Sequence, residues 1–138
     1  MKYKVTISKT NKTFPIKGLN ELLRAEKHVW NERMKKTIVS NKVKADNDKI
    51  CRLAIQKYMR GVKIDKPIIC HFYVFAKDKM HDRGNINSAL EKSFMDALQQ
   101  KNVIKNDGYD DVYDSQFHTS LDRLNPRVEV IIEEVEEE

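Results

Sequence analysis

A chain of 138 residues with a formal net charge of +5 suffices for one domain with a real core and is too short for two comfortable ones. No apolar run approaches the roughly 18 residues of a membrane span, and MKYKVTISKTNK lacks the apolar stretch of a signal peptide, so a cytoplasmic location is expected. Six of the 21 acidic residues fall within 129–138, which leaves the other 128 residues with 26 basic and 15 acidic groups, a net of +11 that favours a polyanionic partner.

The first element is MKYKVTIS, where Tyr3, Val5 and Ile7 alternate with polar residues as in a half-buried strand. Pro15 and Gly18 break the pattern. A helix is expected from Leu19, with Leu22, Leu23, Val29 and Trp30 loosely on one side. The polar stretch Asn41 to Asp48 reads as a break or a solvated face. A second helix follows, with Ile50, Leu53, Ala54 and Tyr58 at helical spacing, and Gly61 stops it. Cys51 and Cys70 stand in apolar surroundings on different elements, so they read as buried free thiols and not as a disulfide or metal pair.

PIICHFYVF (67–75) is rich in β-formers and reads as a central strand. Ile86, Leu90, Phe94, Ala97 and Leu98 recur with helical period and predict an amphipathic helix over 87–100, with Ser88 and Glu91 spaced as a capping box at its start. NDG (106–108) is turn chemistry. Residues 109–121 are ambiguous and read as an irregular strand. LNP (124–126) makes another turn, and RVEVIIEEV is the clearest strand, with Val128, Val130 and Ile132 on one face. The last few residues of the acidic end, 129–138, are expected to fray. The elements add up to a single α+β domain over 1–138, a small mixed β-sheet packed by helices.

The chemistry concentrates in MHDRGNINSALEKSFMDALQQKNVIKND (80–107), which holds Asp82, Asp96 and Asp107 with Lys92 among them and Asn85 beside the first. A helix over 87–100 spans on the order of 20 Å, so Asp82 and Asp107 meet only if the chain after Asn102 folds back along it. Were they to meet, the pair suits Mg²⁺, which takes carboxylates together with substrate phosphate. A lysine one helical turn away, Lys92, would then stabilise charge on the phosphoryl group. The bland alternatives stand beside this. Lys92 and Asp96 have the spacing of an exposed i,i+4 ion pair, Asp82 that of a helix-start charge, and Asp107-Gly108 that of a common turn. His81 adjoins Asp82, but the four histidines show no zinc-ligand spacing.

DRGNI…EKSFMDALQQKNVIKNDGYDDV followed by LDRLNPRVEV resembles the RusA-type Holliday-junction resolvases, especially the forms carried by phages and prophages of Gram-positive bacteria. PIKGLNELLRAEK, with MKK (34–36) after it, is similar to that family's opening helix, so the likeness runs over nearly the whole chain. It implies a RusA-like homodimer that resolves four-way or other branched DNA by paired symmetric nicks, with Mg²⁺, or Mn²⁺, as cofactor. Carried over by position, the metal ligands are Asp82 and Asp107, the catalytic lysine is Lys92, and Asn85 is a positioning residue on the nucleic-acid side. Asp96 matches a structural position. Lys35, Lys36, Lys79 and Arg83 are expected phosphate contacts because they cluster near the motifs or in the opening region.

One departure stands out: Gly84 occupies the place of the family's second aspartate, and the helix is one residue longer between Asn85 and Asp96. Glu91, Asp110, Asp111 or Asp78 could supply the missing carboxylate. The alternative is a catalytically degenerate DNA-binding dimer of the same fold, and a third reading is an unrelated RNA- or protein-binding α+β module.

Overall fold

A computed structural model describes residues 1–8, 15–16, 32–77, 83–106, 108 and 111–136. Strand β1 (Lys2–Ile7) is followed by helix α1 (Glu32–Tyr58), β2 (Ile68–Ala76), α2 (Arg83–Gln100), β3 (Val112–Leu121) and β4 (Arg127–Glu134). The four strands form one mixed sheet in the order β1-β4-β2-β3. β4 runs antiparallel to both β1 and β2, whereas β2 and β3 are parallel. Parallel neighbours need a crossover, and α2 supplies it. The expected α+β fold with a small mixed sheet is the fold observed.

Alternation in the sequence explains which face of the sheet is buried. Ile68, Cys70, Phe72, Val74 and Ala76 of β2 join Val128, Val130 and Ile132 of β4 and Val5 and Ile7 of β1 in burial. Against them pack Cys51, Ile55 and Met59 of the α1 region and Leu90, Phe94 and Leu98 of α2, in one core. Each fully buried Leu, Ile or Phe contributes about 1.5–3 kcal/mol. Phe72 is a hub: Phe94 meets it edge-on at 5.5 Å, and Phe117 of β3 stacks on it at 4.8 Å. Burial pushes both thiols, Cys51 and Cys70, up to about 12. Both are free, as expected of inert core cysteines.

Three expectations need correction. The 41–48 stretch is no break, because α1 runs through it from Glu32 to Tyr58. That span contains neither Gly nor Pro, and its lysines and alanines are good helix formers. Lys42, Lys44, Ala45, Asp46 and Lys49 are exposed, but Asn47 and Asp48 turn inward, so the solvated-face alternative holds only in part. The apolar line of this helix is also differently phased. Asn47, Cys51, Ile55 and Met59 are buried, whereas Leu53 is 57% and Tyr58 41% exposed. The helix expected from Leu19 lies mostly outside the described residues. Gly61 lies just past the end of α1 with φ 77°, a conformation that suits glycine.

The third correction concerns α2, which begins at Arg83 and not near 87. Ser88 is therefore inside the helix and cannot cap it. The other end closes with Asn102 at φ 58°. Asn102 N–H donates to the Gln99 carbonyl at 3.0 Å and Val103 N–H to the Leu98 carbonyl at 2.9 Å, a Schellman cap with Asn at the left-handed position.

The ambiguous stretch 109–121 contains β3, an edge strand whose side chains are mostly exposed. Its pairing with β2 shifts register between Ile68 and Ile69, opposite Tyr113, which accounts for its weak alternation. At the acidic end, β4 continues through Glu134, Val135 N–H donates to the Pro67 carbonyl at 2.7 Å, and Lys66 pairs with Glu136 at 3.0 Å. Fraying is thus not seen before Glu136; Glu137 and Glu138 lie outside the described residues.

Candidate functional site

The motif-bearing stretch is the crossover itself. It leaves the end of β2, forms α2, and returns to the start of β3 beside Ile68. Arg83, Gly84 and Asn85 form the first turn of α2, the positive end of its helix dipole. The backbones of Lys35 and Lys36 belong to α1; the side chains of Lys35, Lys36, Arg83 and Asn85 are outside the description. Asp82, Asp107 and Lys79 lie outside the described residues altogether, as do Asp78, Asp110 and His81.

The described residues next to the two aspartates do not lie together. Arg83 opens α2, whose 18 residues carry the chain about 25 Å. Beyond its other end, the Val103 carbonyl accepts from Ile64 N–H at 2.8 Å, the Gly108 carbonyl accepts from Val112 N–H at 2.8 Å, and the Asp111 carbonyl accepts from Ile68 N–H at 3.0 Å. Residues 101–106, 108 and 111 therefore stay at the Gln100 end of the helix. They do not fold back along it towards Arg83.

Lys92 stands nine residues into α2, about 14 Å along the axis from Arg83, not one turn away. The separation follows from the earlier start of the helix. Its side chain is 65% exposed, and its ammonium approaches Asp96 Oδ1 at 3.9 Å. At that exposure and length the pair contributes a few tenths of a kcal/mol at most. The ammonium is therefore free to meet a phosphate.

Asp96 is held more firmly from the other side. Lys44 of α1 donates to Asp96 Oδ2 at 3.0 Å and to Asp48 Oδ2 at 2.8 Å, which ties α1 to α2 across their contact. The hydrogen bond that it donates to Asp48, then that to Asp96, holds the Lys44 ammonium above the usual lysine range in spite of its partial burial. Asp96 is thus part of the contact between α1 and α2. Lys44 and Asp48 have i,i+4 spacing in the sequence, a signal hidden by reading 41–48 as a break. Asp48 Oδ1 is buried without a hydrogen-bond partner.

Gly84 is exposed and helical, and a Cβ built there meets nothing within 4 Å. Among the described residues nothing crowds a side chain at this position. Among the described residues, no three His, Cys, Asp or Glu side chains stand close enough to hold a metal ion. The fit to Mg²⁺ therefore rests on Asp82 and Asp107 and is not met by the described side chains. Of the other carboxylates, Glu91 lies in α2 near Cys70, whose thiol it helps to raise.

The outward face of the sheet differs from this helical side. Arg127 pairs with Asp122 at 2.8 Å and Glu129 at 3.0 Å and lies 4.0 Å from the centre of the Phe75 ring. Lys4 pairs with Glu129, His71 sits 3.1 Å from Glu133, and Tyr73 stacks on His118 at 4.9 Å. Its cations are largely neutralised, which disfavours it as a phosphate surface. Among the described residues no helix is long and apolar enough to cross a membrane. Comparison with protein-family models and with curated proteins finds no match to this chain.

Proposed function

We propose that the chain is a RusA-like, Mg²⁺-dependent endonuclease acting on branched DNA as a homodimer. The observation that carries this reading is the coincidence of the ordered 80–107 motifs with a β-α-β crossover. That crossover presents Arg83-Gly84-Asn85 in a first helical turn and leaves the Lys92 ammonium exposed. The net charge of +11 outside 129–138 supports a polyanionic substrate.

In this reading Asp82 and Asp107 would hold the metal, which when bound polarises the scissile phosphate. Asn85 would orient the strand, and Lys92 would offer positive charge to a phosphoryl oxygen. Lys79, Arg83, Lys35 and Lys36 would contact neighbouring phosphates. Mg²⁺ ligands lie about 2.0–2.1 Å from the ion, whereas the described neighbours of the two aspartates are separated by roughly a helix length. The separation favours a composite site, with Asp82 from one protomer and Asp107 from its partner. Such a site would require a dimer, and two of them related by a two-fold axis would suit the equivalent strands of a junction.

Mixing two inactive variants tests the proposal. Asp82→Asn and Asp107→Asn chains, each inert on a synthetic four-way junction with Mg²⁺, are co-expressed to give heterodimers. A composite site leaves one intact centre per heterodimer, so nicking returns on one strand. A mixture as inert as its components, beside active wild type, excludes the composite arrangement. Wild type that binds the junction but never nicks it sinks the nuclease and favours the degenerate DNA-binding dimer, for which Gly84 is the specific indication.

A further inference from the structure

We propose that the outward face of the second half of α1, with the adjoining end of α2, is a separate contact surface for the sugar–phosphate backbone of duplex nucleic acid. The proposal needs phosphates and not cleavage, so it stands apart from the nuclease reading.

The observation behind it is a segregation of charge. Lys42, Lys49 and Lys57 are exposed on α1, and Arg60 is exposed just past its end. At about 100° per residue, the three lysines lie within an arc of roughly 80°. Among the described residues, no carboxylate pairs with any of these four, although Lys4, Lys44, Lys66 and Arg127 all have such partners. Asp46 shares the arc without pairing, and Asp48 is turned inward to Lys44.

The neighbouring end of α2 extends this surface. Arg52 donates to Gln100 Oε1 at 3.1 Å, and Lys101 donates to Gln56 Oε1 at 3.1 Å. Both partners are neutral, so the hydrogen bonds position these cations and leave their charge uncompensated. Lys57 lies 5.3 Å from the centre of the Tyr58 ring, another neutral partner. Fixing unpaired like charges in a row costs stability through self-repulsion, and an anionic ligand relieves that cost.

The shape selects among polyanions. Lys42 and Lys57 stand 15 positions apart, about 22 Å of helix, comparable to six base steps at about 3.4 Å each. A membrane-surface helix would need an apolar face free to enter lipid, but that face of α1 is in the core. A protein interface would need an apolar centre, and the arc offers only Leu53. A narrow line of cations suits a line of phosphates.

The test is fluorescence anisotropy with a labelled linear DNA duplex between about 50 and 200 mM salt. The triple variant Lys49→Gln/Lys57→Gln/Arg60→Gln should bind at least tenfold more weakly at low salt. Its slope of log affinity against log salt should be shallower by about 2–3, near 0.9 per lost phosphate contact. Lys49→Arg/Lys57→Arg/Arg60→Lys should keep the wild-type slope, and so should Lys2→Gln/Arg123→Gln. Circular dichroism checks that every variant is folded. An unchanged slope in the Gln variant overturns the proposal, as does failure of wild type to bind duplex at low salt. Loss of binding to phosphatidylserine vesicles with duplex binding intact also overturns it, and assigns the surface to lipid.

Discussion

Replacing Gly84 by Asp probes both the helix and the proposed site. Gly84 is in the first turn of α2, exposed, with open space where a Cβ would stand. A glycine in a helix costs up to about 1 kcal/mol relative to the best formers, and Asp recovers a few tenths of that. A carboxylate beside the positive end of the helix dipole adds about 0.3–1 kcal/mol. Together these give a gain of about 0.5–1.5 kcal/mol, or roughly 2–5 °C in melting temperature for a chain of this size. The assay is thermal unfolding followed by circular dichroism, with and without Mg²⁺, beside junction nicking. The variant should melt higher without metal, gain further stability as Mg²⁺ is raised, and nick at a lower Mg²⁺ concentration than wild type. Melting below wild type would refute the open helical turn at Gly84. A higher melting temperature with neither Mg²⁺ response nor nicking would refute the idea that one missing carboxylate limits the site.

Lys92→Met should leave the melting temperature within about 1 °C, since its ion pair is long and exposed, yet slow single-turnover nicking by about a hundredfold; a rate within threefold of wild type removes Lys92 from the site. Phe94→Ala should lose about 3–5 kcal/mol in urea unfolding, because Phe94 is fully buried against Phe72, and a loss under 1 kcal/mol would contradict that docking. Asn102→Val should cost about 1–2 kcal/mol at its left-handed position, whereas Asn102→Gly should be neutral or stabilising; equal melting of the two variants would argue against the cap. Glu129 has its carboxyl held below the usual range, first by its hydrogen bond from Lys4 and then by Arg127. The unfolded chain therefore binds this proton more readily, and the stabilisation is complete above the ordinary glutamate range and lost as pH falls through the lower folded value. Lys4→Met should narrow its stability difference from wild type as pH falls from 6 to about 3, and a difference that widens would reverse the assignment.

Strands β1 and β4 were legible because they alternate strongly: Val128, Val130 and Ile132, and Val5 and Ile7, all point to the core as their spacing implied, whereas β3 alternates weakly and read as ambiguous. The helices were less legible at their edges. Asn47 and Asp48 look like loop residues, but Lys44 and Asp96 provide a charged contact from outside the local window. Similarly, Ser88 and Glu91 form a plausible cap in sequence, but Ile86 is already buried inside a helix begun at Arg83. The candidate site was legible as a motif order only. Lys92, Gly84 and Asp96 can be related to helix geometry, but Asp82 and Asp107 are outside the described residues. The cation line on α1 was not legible, because its phase depends on a helix that runs unbroken through 41–48, a stretch that reads as a break or a solvated face.

The sheet order places β4, last in sequence among the described strands, between β1 and β2. Emerging from a ribosome, β1 has no sheet partner until Arg127–Glu134 has been made, because its whole register is with that strand. The pairing Lys2↔Glu133 joins residues almost a full chain length apart, so loop closure there is the most entropically demanding event in assembling the sheet. The β2-α2-β3 crossover can assemble earlier, and until β4 docks it exposes one edge of β2. During synthesis the sheet cannot close in chain order, because β1 has to wait for β4 to be inserted between it and β2. A nascent chain stalled before residue 127 would present that bare edge to chaperones or to other stalled copies.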